Sequence, residues 1–278
     1  MFLFKKIKSY LVDNFLCNYK KPIFRHWLYN FCLRYVYFFQ GECNADPKTN
    51  GEGLLLETLL KNNKITMVFD VGANIGEYTQ RLIKLNPKLS VHCFEPSKRA
   101  FVELKDKFIN NLNVNCSNLA LGDVVGKRKF YNFEESTTFS SFYLDFNTQA
   151  KPVEGLVEVD TLDNYCEGNK INHIDLLKID VEGHELSILN GSQKLFQEGG
   201  IEIVQFEYGH AALPARAFLY DFFVFFEKYG YLIYRLKYIG WELQQYTPWL
   251  DKCPYANFFA IKKDSFLLEV IENQEIIL

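Results

Sequence analysis

The chain has 278 residues, 48% of them hydrophobic and 17% aromatic, with a formal net charge of -3. That content is too apolar for a disordered protein and ample for one substantial core, and the charge gives no reason to expect nucleic acid as a partner. The seven cysteines (Cys17, Cys32, Cys43, Cys93, Cys116, Cys166 and Cys253) are scattered and never form a C-x-x-C pair, so they read as thiols of a reducing compartment rather than a disulfide framework or a zinc site.

Residues 1–40 carry Lys5, Lys6, Lys8, Lys20, Lys21, Arg25 and Arg34 against Asp13 alone, about +6, which leaves about -9 for the remainder. Apolar side chains recur there at helical spacing: Phe24, Trp27, Leu28, Phe31, Tyr35, Phe38 and Phe39, after a weaker stripe through Phe4, Ile7, Leu11 and Phe15. Two readings stand. One is a helical extension packed on the main domain; the other is a basic, aromatic face resting on an anionic membrane surface. No apolar run approaches a membrane span, and Lys5, Lys6, Lys8 and Asp13 break up any signal peptide. The expected location is therefore cytoplasmic, with peripheral contact at the membrane face as the second reading. Gly41, Asn44, Pro47, Asn50, Gly51 and Gly53 mark residues 41–53 as a hinge. The expected division is an extension and hinge at 1–53, a main domain at 54–263 and a tail at 264–278.

From there strand and helix patterns alternate, which predicts an α/β fold with a mostly parallel sheet covered on both faces. A strand at 65–71 runs into a helix at 77–85, and a second strand at 89–94 ends at Glu95-Pro96. Ser97 opens a helix carrying Phe101, Leu104, Phe108 and Ile109 on one face. A short third strand at 114–116 leads to Ala120. Segments 127–133 and 155–159 read as an added pair of strands flanking a polar loop. A fourth strand at 174–179 ends in Asp180-Val181-Glu182-Gly183, and a helix from Glu185 is interrupted at Gly191. A strand at 201–206 ends at Glu207, an aromatic helix spans 216–229, and strands at 231–236 and 257–261 close the sheet.

The turn after the first strand identifies the cofactor. A dinucleotide site wants G-x-G-x-x-G, its middle glycine clearing space for a pyrophosphate. Here the turn reads Gly72-Ala73-Asn74-Ile75-Gly76, with Asn74 at that place and the carboxylate of Asp70 just ahead. A carboxylate suits an ammonium-bearing ligand better than a pyrophosphate. Glu95 ends the second strand where an acid grips both ribose hydroxyls. Ribose, an amino-acid tail and no phosphates describe S-adenosylmethionine. An NAD-dependent oxidoreductase is disfavoured by Asn74 and the missing third glycine.

The stretches Val68-Phe69-Asp70-Val71-Gly72-Ala73-Asn74-Ile75-Gly76, Phe94-Glu95-Pro96, Thr161-Leu162-Asp163 and Lys178-Ile179-Asp180-Val181-Glu182-Gly183 together resemble the FkbM family of S-adenosylmethionine-dependent methyltransferases. The resemblance covers residues 65–262 and leaves out the leader and the tail. It implies a class I Rossmann-like methyltransferase with a seven-stranded sheet, helices on both faces and an antiparallel strand at the edge. It also implies O-methylation, often of sugar hydroxyls in glycans or of natural-product hydroxyls. By resemblance Asp70, Gly72, Asn74 and Gly76 surround the methionine part of the cofactor, with Ala73 and Thr79 in the same turn. Glu95, beside Pro96, holds the ribose, and Ala120 lies near the adenine. Asp180 faces the reacting methyl.

Asp180, Glu182 and His184 follow the fourth strand, and Glu207 and His210 follow the fifth, so these groups converge on one site as candidates for proton removal. His184 falls at a variable place of the family motif, and Glu182 has the alternative role of satisfying backbone donors at the turn. Asp180, Glu207 and His210 form a hard-ligand set suited to Mg2+ or Mn2+, but nothing in the spacing requires it and no metal is predicted. The loop through Ser136, Thr137, Thr138, Phe139, Ser140, Ser141 and Phe142 offers hydroxyls to a polyol and phenylalanines to a sugar face. Tyr208, Trp241, Tyr246 and Trp249 are further candidates for the acceptor wall. The expected acceptor is a hydroxyl on a sugar or glycan precursor. A natural-product hydroxyl and a non-catalytic cofactor-binding scaffold are the alternatives. Oligomeric state is not legible.

Overall fold

The computed structural model describes residues 22–61, 64–133, 136–143 and 152–274. The chain enters through α1 (Pro22–Gln40) and a strap of turns leading to α2 (Glu52–Leu60). Next come β1 (Met67–Val71), α3 (Glu77–Leu85), β2 (Ser90–Phe94), α4 (Lys98–Phe108) and β3 (Val114–Ser117). A second group follows: β4 (Ala120–Leu121), β5 (Gly126–Phe133), β6 (Ser136–Ser141) and β7 (Pro152–Asp160). Then α5 (Leu162–Asn169) leads to β8 (Ile174–Ile179), α6 (Glu185–Asn190), α7 (Gln193–Gln197) and β9 (Ile201–Tyr208). The chain closes with α8 (Ala212–Ala215), α9 (Leu219–Lys228), β10 (Tyr231–Lys237), β11 (Gly240–Leu243), β12 (Ala256–Lys262) and α10 (Leu268–Glu272).

The main sheet has eight strands in the order β11-β10-β12-β9-β8-β1-β2-β3. Strands β3, β2, β1, β8 and β9 are mutually parallel, while β12 runs antiparallel between β9 and β10. The expected class I architecture is present, with two corrections. The antiparallel strand that follows β9 lies inside the sheet rather than at its edge. The edge is an eighth strand, β11, which the chain adds by folding straight back from β10.

The central strands are continuous apolar runs because both their faces are covered. Phe69, Val71, Leu177 and Ile179 pack on one side, with Ile188, Phe222 and Phe226 among their neighbours. Val68 and Leu176 pack on the other, with Leu55, Leu59, Leu82 and Leu104. Alternation along β1 then places Asp70 on the face of Val68, and the parallel register sets it opposite Lys178 on β8. Gly191 lies between α6 and α7, so the expected broken helix is found.

A second sheet, ordered β4-β7-β5-β6, stands beside the first. The added strand pair is there, with Phe130 opposite Gly155, but residues 136–141 form strand β6 rather than a polar loop. Backbone pairing with β5 turns that run of hydroxyl and β-branched residues into an edge strand.

Residues 41–53, expected as a hinge, are tied to the main sheet. Glu42 pairs with Ala256 as an isolated bridge, the Cys43 N–H donates to the Tyr255 carbonyl at 2.8 Å, and Arg235 holds Glu42 in a buried ion pair at 2.7 Å. A side chain on Gly41 would lie 2.5 Å from the Leu236 carbonyl oxygen, so the strap presses directly on β10. The tail beyond residue 263 is docked too: Ile271 is buried and its carbonyl accepts the Trp241 indole N–H at 2.8 Å. Among the described residues no helix is long and apolar enough to cross a membrane.

Candidate active site

The C-terminal ends of β1 and β2 form the first half of the site. Gly72 and Gly76 both adopt left-handed backbone (φ 81° and 79°), and Asn74 between them has φ 48°. The N–H groups of Gly72 and Ala73 both donate to the Phe94 carbonyl at 3.0 Å, which fastens the turn to the tip of β2. A Cβ on Gly72 would lie 1.8 Å from the Asp180 carbonyl oxygen, and one on Gly76 would lie 2.6 Å from the Phe108 ring. The glycines are therefore required by the close approach of β8 and α4, not only by a ligand.

Glu95 is buried at the head of this turn. Its Oε2 accepts the Asn74 N–H at 2.9 Å and its Oε1 accepts the Ser97 N–H at 2.7 Å. Burial pushes the carboxyl up to about 7, against the pull of those two bonds. Each oxygen keeps a lone pair free. Asn74 Oδ1 is buried and has no partner among the described residues.

The ends of β8 and β9 form the second half. Lys178 Nζ stands 3.1 Å from Asp180 Oδ2, 3.4 Å from Asp70 Oδ1 and 5.1 Å from the centre of the Tyr78 ring. Burial alone would lower this ammonium's pKa, but the Asp180, Asp70 and Glu52 charges outweigh it and hold it above the ordinary lysine range. Thr79 donates to the other oxygen of Asp70 at 2.7 Å. Glu207 is hydrogen-bonded to Asp180. Burial, then the charges of Asp180, Glu182 and Glu185, hold Glu207 well above the usual carboxylate range.

The turn after β8 is tight, with Glu182 at φ 53° and Gly183 at φ 100°. Its backbone donors are satisfied by Glu185, whose Oε1 accepts from the Val181 and Gly183 N–H groups at 3.0 and 3.2 Å. That is the turn-holding role the sequence offered to Glu182. Ser141, on β6, donates to the Glu182 carbonyl at 2.7 Å and so joins the second sheet to the turn.

A cavity of about 810 Å³ spans both halves. Gly72, Ala73, Asn74, Glu95, Pro96 and Ala120 line one end, and Asp180, Glu182, Glu207 and His210 line the other. Asp70, Gly76 and Thr79 stand behind this wall and support it, because Asp70 is fully buried against Lys178 and Thr79. His184 takes no place in the wall. It is buried with its ring centroid 4.3 Å from that of Phe142, with Nδ1 bonded to the Tyr143 hydroxyl at 3.1 Å and Nε2 unpartnered among the described residues. Burial, and then the Arg128 charge, lower its pKa to about 4, so it is neutral near pH 7.

Tyr208, Trp241, Tyr246 and Trp249 also lie outside the cavity wall: Tyr208 and Tyr246 bond Asp251, Trp241 is core and Trp249 is exposed. The wall takes its aromatics from Tyr78, Phe94, Phe130, Phe142, Tyr143 and Tyr255 instead. The Phe139 side chain lies outside the described residues. Sequence reasoning missed Lys178 as a site residue. A lysine in a strand buried along its whole length was the available signal, since such a charge persists only when paired. It also missed the strap, which brings Cys43, Pro47 and Glu52 to the cavity. Glu52 is held there by Gln205 Nε2 at 2.7 Å, and Gln205 in turn accepts the Tyr78 hydroxyl at 2.8 Å. Among the described residues, no three His, Cys, Asp or Glu side chains are grouped so as to hold a metal ion.

The family model described as "Methyltransferase FkbM domain" matches residues 70–233, more than half of the chain. The chain belongs to the FkbM methyltransferase family. That family is one of S-adenosylmethionine-dependent O-methyltransferases. Three relatives are similar over about half of the chain. The 2-O-methyltransferase NoeI of Sinorhizobium fredii is 24% identical over 55% of this chain and 69% of its own length. The hexuronic acid methyltransferase AglP of Haloferax volcanii is 29% identical over 56% of this chain and 61% of its own. The 31-O-demethyl-FK506 methyltransferase FkbM of Streptomyces tacrolimicus is 28% identical over 45% of this chain and 58% of its own. The matched stretch thus spans roughly two thirds of these relatives or less, and the FkbM match itself covers both carboxylate corners of the cavity.

Proposed function

We propose that this FkbM-family chain methylates a hydroxyl of a sugar or glycan precursor, with Asp180 as the proton acceptor. The observation that carries the reading is the Lys178–Asp180–Glu207 cluster at the cavity wall, next to the glycine turn. S-adenosylmethionine fits the residues at the other end. Asn74 Oδ1 is an orphaned acceptor suited to an ammonium, and the spare lone pairs of Glu95 suit ribose hydroxyls. Gly72, Ala73, Asn74, Glu95, Pro96 and Ala120 would hold it. Bound there, it supplies an electrophilic methyl group.

The chain's own residues have three tasks. The cavity wall places the acceptor hydroxyl beside Asp180, which is the entropic part of the work. Asp180 takes the hydroxyl proton as the oxygen gains its new bond. Lys178 holds Asp180 in place through a short ion pair, and Glu207 is hydrogen-bonded to the same carboxylate. Asp180 lines the cavity while His184 is buried behind its wall, which favours the carboxylate over His184 as the base.

The hexuronic acid relative supports a sugar acceptor, and the FK506 relative supports a natural-product hydroxyl as the second reading. Two measurements test the proposal. S-adenosylhomocysteine at about 100 times its dissociation constant adds about 2.7 kcal/mol of stability, a rise of several degrees in Tm. An unchanged melt would sink the cofactor assignment. Labelled methyl transfer to a panel of uronic acids, neutral glycans and macrolide alcohols then ranks the acceptors. A protein that binds the cofactor but labels none of them is a scaffold.

A further inference from the structure

Helix α1 leaves six of its described aromatic side chains, Trp27, Tyr29, Phe31, Tyr35, Phe38 and Phe39, in solvent. Phe31, Tyr35 and Phe38 are 57%, 63% and 65% exposed and follow one another at helical spacing on one side of α1. The stripe continues onto the β10–β11 turn, where Tyr238 lies 6.1 Å from Phe38 (ring centroids) and Ile239 is 72% exposed. Strand direction fixes where this surface sits. Strand β10 is antiparallel to β12, which is antiparallel to β9, so β10 ends at the same sheet edge as β1, β8 and β9. That is the edge where the cavity opens, and the strap joining α1 to it supplies Cys43 and Pro47 to the cavity wall.

The geometry points to a membrane-docking surface: α1 and the Tyr238–Ile239 turn rest on an anionic bilayer and bring the cavity edge to the lipid interface. Tyrosine and phenylalanine beside cationic side chains are the composition that settles at a headgroup boundary. Charge selects the bilayer over a second copy of the chain. Helix α1 carries Arg25 and Arg34 and no acidic residue, so two-fold pairing of α1 would set like charges against each other, whereas acidic headgroups complement them. The proposal extends beyond the methyl-transfer reading, and its test does not use activity.

Full-length protein is floated with phosphatidylcholine vesicles, with and without about one part in three of phosphatidylglycerol. Binding to the anionic vesicles alone is expected, weakened when salt rises from about 0.1 M to about 1 M and the Debye length falls from about 10 Å to about 3 Å. The triple variant Phe31→Ser, Tyr35→Ser, Phe38→Ser is expected to lower partitioning at least about tenfold. Its S-adenosylhomocysteine-induced melting shift should stay intact. If the triple variant fails to fold, Ile239→Asp tests the same surface with one exposed change. Equal binding to both vesicles, no binding to either, or unchanged binding in the variants overturns the proposal. So does a concentration-dependent dimer that the variants abolish, which would make this face a contact between copies.

Discussion

The cavity has two carboxylate corners, and they are built in opposite ways. At the β1–β2 corner Glu95 is tied to backbone: one N–H from Asn74 and one from Ser97 fix both oxygens. At the β8–β9 corner Asp180 is tied to other ionisable side chains, Lys178 and Glu207. Backbone donors cannot move a proton, so the first corner is suited to holding a ligand in place. Side chains that share protons can change state, so the second corner suits chemistry. The same element, an acid at the end of a parallel strand, becomes a clamp or a base according to what surrounds it.

The largest expected effect breaks the second corner at its buried cation. Lys178→Met leaves fully buried Asp70 without its counter-charge, which costs about 3–5 kcal/mol of stability in a denaturant titration. Adding Asp70→Asn to it should recover part of that loss, since the carboxylate being left behind is the damage. A single variant as stable as the parent would show that Asp70 finds compensation elsewhere. Asp180→Asn comes next. It keeps the shape but cannot accept a proton, and kcat should fall about 10²–10⁴-fold while S-adenosylhomocysteine still shifts the melt. An equal loss of cofactor binding would erase the distinction between the corners.

Breaking the first corner has a smaller effect and a different signature. Glu95→Gln exchanges one acceptor for a donor and removes the charge, so S-adenosylhomocysteine affinity should weaken by about 1.5–3 kcal/mol. The pH dependence carries the sign. Burial sets the free carboxyl at about 7, and ribose hydroxyls donate best to its ionised form. Affinity should therefore climb as pH rises towards 7 and level off above it, and the variant's profile should be flat. Calorimetry across pH 5.5 to 8.5, roughly one unit or more either side of that value, decides it. An unaltered slope in Glu95→Gln would assign the titration to another group.

The first corner is legible in the sequence because everything that makes it is local. An apolar run, Asp70, two glycines and a helix pattern fall within twelve residues, and Glu95 ends the next strand. The succession of parallel strands along the chain is legible too, because each is a short apolar run closed by a turn. The second corner is legible only in its carboxylates. Which of them faces the cavity depends on the tight turn at Glu182 and Gly183, and that depends on Glu185 folding back to its donors. The strap is not legible at all: Glu42 meets Arg235 across 193 positions, and glycine, asparagine and proline in residues 41–53 look alike whether the segment swings or is pinned. The hydroxyl-rich β6 reads as a loop because a strand at a sheet edge needs no apolar alternation.

His184 gives the smallest effect and the finest distinction. On composition it is the natural base of the second corner, within four residues of Asp180. Its surroundings assign it to packing, with one hydrogen bond to Tyr143, a ring contact to Phe142 and an unpartnered Nε2. Leucine removes a buried nitrogen that has no partner among the described residues, and the half-buried Tyr143 hydroxyl it leaves behind can turn to water, so the cost is small. His184→Leu should therefore change stability at pH 7.5 by no more than about 1 kcal/mol and leave kcat within a few-fold. Acid separates variant from parent. The folded parent holds the imidazole neutral down to about 4, whereas the unfolded chain takes up the proton near its ordinary value of 6.5. The parent's stability is thus intact above 6.5 and is lost as pH falls through that window, because the unfolded state binds the extra proton. The variant lacks this loss and should out-melt the parent at pH 4.5, even where the two match at pH 7.5. A collapse of kcat with unchanged stability would return His184 to the chemistry and leave Asp180 as its orienting partner.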